Sequence, residues 1–399
     1  MAMPMMFRAD RRAALAAALV ALILAAAVPG PARAQADLAT TAESAIVVDH
    51  GTGQVLFEKN ADRALPPASL TKIMTLEMLF EALNDGRVTL ETRFAVSDAA
   101  MALGGSTMFL NTDDRPTVQQ LIRGIVVNSG NDAAVVVAEG LAGSESAFAE
   151  LMTRRARTLG MADARFTNAS GWPEPGHAAS ARDLAVLTRH IITEHPDLYS
   201  YFAEEEYDFE GRAPANRFNR NPMLGLGIGA DGLKTGHTEE AGYGLVTSAR
   251  QGERRVVVVL LGLGSRAARA REGERLIGWA FRQFVEREII AEGARVTDAE
   301  VWMGTARSVP LVAGRGLTML LPAQAAGTLE AEARFEAPLH APVAAGAEAG
   351  RLVISPPGMD PVEVPLLTGA AVAEGGVRMR LRAAGEALLD RLIERAGRL

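Results

Sequence analysis

Pro66-Pro67-Ala68-Ser69-Leu70-Thr71-Lys72-Ile73-Met74-Thr75 is the stretch on which the reading of the fold turns. Tandem prolines fix φ near −65° and suit the start of a helix rather than its interior. The apolar residues that follow return at helical spacing, so a helix is expected from Pro66–Ala68 to about Leu83. Ser69 and Lys72 then stand at i and i+3, on one face of that helix. Immediately upstream, residues 45–58 read as strand, glycine turn, strand, hence a hairpin.

Working outward, the apolar spacing between about Thr117 and Gly160 is mostly helical. Ser180-Ala181-Arg182-Asp183 opens a further helix towards His195, and Pro196 ends it. From Leu233 the pattern turns to strands. Tyr243–Ala249 and Arg255–Gly262 are apolar β runs joined by a tight turn at residues 250–253. Residues 266–290 read as one long amphipathic helix. Together these give an α+β domain over residues 35–293. Short β-prone runs at 296–302, 308–312, 317–321, 329–335, 351–354 and 362–367 then indicate a small all-β domain over 294–372. A final amphipathic helix is expected within 373–399. Leu388, Leu389, Leu392, Ile393, Ala396 and Leu399 recur at helical spacing, and six arginines from Arg378 on face three acids, a net of +3. That charge suits peripheral contact with an anionic inner-membrane surface, so the segment is a candidate membrane anchor.

Composition narrows the function classes. A net charge of −7 without a basic stripe argues against nucleic-acid binding. With no cysteine, disulfides, thiol catalysis and Cys-ligated metals are excluded. The six histidines show no H-E-x-x-H spacing, so neither a catalytic metal nor a cofactor is expected. Arg8, Arg11 and Arg12, the apolar run Ala13–Val28 and Ala32-Arg33-Ala34 read as a signal peptide over residues 1–34, with the mature chain starting at Gln35 and exported to the periplasm. The Arg11-Arg12 pair lacks the usual flanks of a twin-arginine signal, so general export is expected.

Three motifs occur in order: Ser69-Leu70-Thr71-Lys72, Ser129-Gly130-Asn131 and Lys234-Thr235-Gly236. Chance would assemble all three about once in two thousand such chains. Of 41 basic residues only three are lysine, and two of these lie in the motifs. Arginine cannot act as a base near neutral pH, whereas a desolvated lysine can. The positive end of the helix and a nearby Lys234 would both disfavour a charged Lys72. A neutral Lys72 can take the Ser69 hydroxyl proton, and the Ser69 N–H at the helix start can serve an oxyanion. Ser129 can relay a proton to a leaving amine, and Asn131 can hold a substrate amide. Lys234 and Thr235, on a strand beside the site, can accept a terminal carboxylate from an extended peptide. Arg220, in Asn219-Arg220-Asn221, is a candidate second carboxylate partner.

On these motifs the chain resembles the low-molecular-weight penicillin-binding proteins that act as serine-type D-alanyl-D-alanine carboxypeptidases. The resemblance runs from about Ala45 to Gly264. It includes Pro67–Thr75, Gly105-Ser106-Thr107-Met108-Phe109-Leu110, Leu121-Ile122-Arg123-Gly124 before Ser129-Gly130-Asn131-Asp132-Ala133, Ser180–Asp183 and Asp231–Thr238. It implies a penicillin-binding-protein/β-lactamase-like transpeptidase fold, an antiparallel five-stranded sheet flanked by helices, and removal of the terminal D-alanine from peptidoglycan stem pentapeptides. Ser69 would form the acyl-enzyme, with Lys72 as base and Ser129 as relay. The N–H groups of Ser69 and His237 would form the oxyanion hole, and Asn131, Arg220, Lys234, Thr235 and Gly236 would contact substrate. β-Lactam antibiotics would acylate Ser69. The same motifs are shared by serine β-lactamases, although no E-x-x-L-N-like segment lies between Asn131 and Lys234. D,D-endopeptidase action is a close variant. A non-enzymatic wall-binding protein is disfavoured by the intact Ser69, Lys72, Ser129 and Lys234.

Overall fold

The computed structural model describes residues 38–212, 214–323, 329–356 and 360–376. The expected leader, and all but the first four residues of the expected terminal helix, lie outside them. The described chain divides into two compact units. One comprises 39–287 with 318–323, and the other is built from 288–317 and the described residues after 328.

The first unit is organised on a five-stranded sheet. Its strands are β1 (Ser44–Asp49), β2 (Val55–Lys59), β3 (Ala230–Thr238), β4 (Gly242–Gln251) and β5 (Arg254–Leu263), in the order β2-β1-β5-β4-β3 with every pairing antiparallel. The strand β5 carries six consecutive buried residues, Val256–Leu261. An unbroken apolar run of this kind marks a strand covered on both faces. β3 ends the order, so among the described residues its outer edge has no neighbouring strand.

The expected first helix forms in two parts. Ala68–Thr71 is a 3₁₀ turn, and α1 (Lys72–Asn84) follows. Ile73, Met74, Leu76, Leu79, Phe80 and Ala82 are all fully buried, so α1 is a core helix, apolar around most of its circumference. The remaining helices are α2 (Asp98–Ala102), α3 (Val118–Arg123), α4 (Asn131–Ala142), α5 (Glu145–Thr158), α6 (Ala181–Glu194), α7 (Pro196–Tyr199) and α8 (Arg266–Gln283). The start of α6 matches the expected signal. The Ser180 side chain accepts from the Asp183 N–H, and the Asp183 carboxylate accepts from the Ser180 N–H. Both α6 and α8 pack on β5.

One expected helix is corrected. α8 stops at Gln283, and Phe284–Ile290 is an extended strand, β6. Phe-Val-Glu-Arg-Glu-Ile-Ile has charges that suit a helix surface, but its ends are aromatic and β-branched, and such residues favour strand. Phe284 is already extended at φ −126° and stacks edge-on against Trp279 at 5.1 Å.

The second unit is β-rich, as expected. Strands β7 (Arg295–Trp302), β8 (Ser308–Ala313), β10 (Glu330–Phe335), β11 (Leu339–His340), β12 (Glu348–Ser355) and β13 (Val362–Thr368) form a sheet in the order β10-β12-β13-β8-β7-β11. The two-residue β11 has no sequence signal. The strand between β8 and β10, β9 (Leu317–Pro322), departs from the expected boundary, because 318–323 belong to the first unit. Leu320 is fully buried, and the Gln54 side chain holds its backbone from both sides. Gln54 Nε2 donates to the Leu320 carbonyl at 2.9 Å, and the Leu320 N–H donates to Gln54 Oε1 at 3.1 Å. Among the described residues no helix is long and apolar enough to cross a membrane.

Candidate active site

Ser69 sits in the 3₁₀ turn, half-buried between buried neighbours Ala68 and Leu70. Ala68 is held at φ +49°, a left-handed conformation uncommon for alanine. Gly171 passes so close that a Cβ added there would lie 1.8 Å from the Ala68 carbonyl oxygen, and its own φ is +80°. Only glycine fits this approach. The other side of the turn is set by β3. A Cβ at Gly236 would stand 3.0 Å from the Pro67 carbonyl oxygen and 3.3 Å from the Ala68 Cβ. The nucleophile turn is therefore clasped between backbone on two sides.

Lys72 opens α1 and is fully buried. Its Nζ lies 3.1 Å from Ser69 Oγ, 2.7 Å from Asn131 Oδ1 and 2.6 Å from the Ser170 carbonyl. Burial, and next the charge of Arg220, push its pKa down to about 7, against the opposing pull of Asp132 and Glu145. Burial is the desolvation that the sequence leads one to expect, whereas the charge of Arg220 has no signal in the motifs. A neutral amine has two N–H donors and one lone pair. Asn131 Oδ1 and the Ser170 carbonyl take the donors, which leaves the lone pair for the Ser69 hydroxyl proton.

Ser129 follows a π-helical turn, Gly124–Asn128, and has φ +58°. Strained non-glycine backbone of this kind clusters at functional sites. Its Oγ accepts from Lys234 Nζ at 2.9 Å. Asn131 begins α4, and both ends of its side-chain amide are engaged, Oδ1 by Lys72 and Nδ2 by the Gly104 carbonyl at 2.8 Å. It therefore positions Lys72 in this structure. The next residue, Asp132, fixes the neighbouring wall. Its carboxylate accepts from the N–H groups of Met108 and Leu110 at 3.0 and 3.1 Å.

Lys234, Thr235, Gly236 and His237 lie on β3, with the first three buried and His237 exposed. Lys234 Nζ also donates to its neighbour's carbonyl, that of Thr235, at 3.1 Å. Burial and the charges of Arg220, Lys72 and Arg269 hold the Lys234 pKa well below the usual lysine range. Arg220 is not a solvated loop residue. Its guanidinium donates to Ser106 Oγ at 2.9 Å and to the Asn128 carbonyl at 3.1 Å, the residue before Ser129. Two groups were not singled out from the sequence. Arg269 of α8 is buried and lies over Tyr243, whose ring stacks on His237 at 4.0 Å. His177, with its pKa driven down to about 4 mainly by burial, lies 2.7 Å from Thr71 Oγ1. Neither carries a motif that would reveal it. A cleft of about 520 Å³ opens beside the turn, lined by Pro66–Ala68, Gly171–Ala178, Thr238 and Glu240.

The arrangement can do one kind of chemistry well. A serine hydroxyl meets a lysine poised to be neutral, and a second serine is held by a second lysine. Two further cations, Arg220 and Arg269, stand behind, and β3 presents its outer edge. These features define a serine acyl-transfer enzyme that takes an extended, anionic substrate.

Comparison with known proteins agrees. The family model for D-alanyl-D-alanine carboxypeptidase matches residues 31–265, and that for the C-terminal domain of penicillin-binding protein 5 matches 284–374. The D-alanyl-D-alanine carboxypeptidase DacD of Escherichia coli is 34% identical over 348 residues, covering 85% of this chain and 89% of the relative. The crystal structure of penicillin-binding protein 5 from Haemophilus influenzae superposes with a TM-score of 0.72 at 31% identity, covering 84% of this chain and 98% of that one. Penicillin-binding protein D2 of Listeria monocytogenes, in its ampicillin-bound form, superposes with a TM-score of 0.56 at 30% identity, covering 61% of this chain and 99% of that one. The chain belongs to the D-alanyl-D-alanine carboxypeptidase family of low-molecular-weight penicillin-binding proteins.

Proposed function

We propose that Ser69 attacks the carbonyl of the terminal D-Ala-D-Ala bond of a peptidoglycan stem pentapeptide, and that the chain hydrolyses the resulting acyl-enzyme. The observation that carries this reading is the fully buried Lys72 Nζ at 3.1 Å from Ser69 Oγ, with a pKa near 7. Neutral Lys72 removes the hydroxyl proton as Oγ bonds to carbon. The N–H groups of Ser69 and His237 receive the developing oxyanion, a role supported by the close packing of β3 on the turn. Ser129, held by Lys234, passes a proton to the departing D-alanine nitrogen. Water then cleaves the ester and restores Ser69.

Four basic side chains, Lys72, Lys234, Arg220 and Arg269, gather around the Ser129–Lys234 side. Buried positive charge without a counterion is costly. The C-terminal carboxylate of the substrate supplies the counterion, and its arrival beside Lys234 and Thr235 favours the charged form of Lys234. Arg220 acts through its field rather than as a free second fork, since its Nη groups are already bonded. Gly236 lets the edge of β3 lie against the turn. The cleft past Thr238 takes the acyl part of the stem peptide. A β-lactam presents a strained amide and a carboxylate in the same relation, so it acylates Ser69 as a substrate mimic. The expected leader supports a periplasmic location for this activity, and the basic amphipathic residues after 377 support peripheral contact with the inner membrane.

The test is D-alanine release from a diacyl-D-Ala-D-Ala peptide by residues 35–399. Release is expected, with none from Ser69→Ala. Absence of release from the unaltered chain would contradict the reading.

A further inference from the structure

Away from the acyl-transfer site, the core side of α1 meets the end of α6 at three groups that no step above uses. Glu77 is fully buried. Its Oε1 lies 2.9 Å from His190 Nε2, and its Oε2 lies 3.3 Å from His195 Nε2. One ligand atom from each residue falls within 4.8 Å of the other two. In a tetrahedral zinc site, bonds of about 2.0–2.1 Å put ligand atoms roughly 3.4 Å apart. We propose that Glu77, His190 and His195 bind a zinc-class divalent cation that staples α1 to α6.

Three further observations support this. Both carboxylate oxygens of Glu77 and His195 Nε2 are buried, and their approaches to one another and to His190 and Arg155 lack hydrogen-bond geometry. A buried carboxylate left this way is expensive, and a cation relieves it. An outer partner is within reach, because Asn84 Nδ2 lies 2.8 Å from His195 Nδ1, and metal binding requires that amide to turn over. With its oxygen turned to that nitrogen, Asn84 accepts Nδ1–H and leaves the Nε2 lone pair for the metal. The local charge also fits. Glu77 and Glu81 share a single guanidinium, Arg155, whose Nη2 is 2.5 Å from Glu81 and 3.8 Å from Glu77. Two carboxylates therefore face one guanidinium. Arg155 Nη2 also lies 3.4 Å from His190 Nε2, so on binding it stays with Glu81 and cedes that nitrogen to the metal. The His190 side chain is 23% exposed, which gives the ion a route in and a position for a water ligand. The role is structural, since Glu77 lies more than a turn along α1 from Lys72.

The experiment uses the chain stripped with a chelator and titrated with Zn²⁺, then with Co²⁺ as a spectroscopic probe. One equivalent of either ion is expected to bind. Zinc well above its dissociation constant should raise the melting temperature by roughly 5–10 °C. Cobalt should give the visible bands of a four-coordinate nitrogen–oxygen site. Glu77→Gln alters a core residue that could be needed for folding, so His190→Ala is the deciding variant, with retained labelling by fluorescent penicillin as evidence that it is folded. It should weaken binding at least about 100-fold and abolish the cobalt bands. His340→Ala, at an exposed histidine, should change neither. Stoichiometric binding that survives in His190→Ala, or no binding by the unaltered chain, would overturn the proposal.

Discussion

Lys72 is tuned by its surroundings at the level of single atoms. Burial makes the ammonium form costly, Arg220 adds to the cost, and two carbonyl oxygens are placed to satisfy the two N–H donors of the neutral amine. Acylation needs that neutral form. Its rate should therefore rise with pH through about 7, as Lys72 loses its proton, and fall away below. Rates of penicillin acylation between pH 5 and 9 check this, and a profile flat through pH 7 would contradict it. Lys72→Arg keeps the charge but cannot release it, so D-alanine release should drop by about 10²–10⁴-fold. Asn131→Asp places a carboxylate where Oδ1 now meets Nζ. That stabilises the ammonium, so the rising limb should move up by roughly one to three pH units. The pairing of Ser69 with Lys72 was legible because lysine is so scarce in this chain. The Ser170 carbonyl and the guanidinium of Arg220 were not, since they reach the site only through the fold. The Glu77–His190–His195 cluster was equally hidden, its ligands lying 113 and 118 positions apart with no spacing to mark them.

At the scale of elements, the nucleophile depends on a 3₁₀ turn pinned by backbone. Gly171→Ala would force a methyl group into the Ala68 carbonyl at a left-handed φ. It should lower the melting temperature by roughly 5–15 °C and suppress penicillin labelling, which a thermal melt and a gel assay would reveal. A melt within a degree or two of the unaltered chain would mean the turn yields easily. The capped start of α6 and the strands β4 and β5 could be read from residue order, because cap chemistry and apolar runs are local signals. The π-helical turn that throws Ser129 into φ +58° could not, since its cause is packing rather than propensity. The change from α8 to β6 failed for the opposite reason. Three consecutive charged residues, Glu286-Arg287-Glu288, imitate a solvated helix face inside a strand.

For the whole molecule, a boundary drawn at residue 293 is too simple. Thr318–Ala323 returns to the first unit, and Leu320 is buried under the two Gln54 hydrogen bonds. A chain ending at 293 should therefore melt below one ending at 323 while both still bind penicillin, and equal melting temperatures would argue that the returning strand contributes nothing. Composition alone pointed away from nucleic acid, but a net charge of −7 hides the inward concentration of four basic side chains that makes the site anion-seeking. The proposed chemistry requires Ser69 to carry the acyl group. It is tested most directly by peptide-mapping mass spectrometry after exposure to benzylpenicillin. One penicilloyl adduct per chain is expected, on the peptide bearing Ser69, and none in Ser69→Ala. An adduct on any other residue, or one that persists in Ser69→Ala, would contradict it.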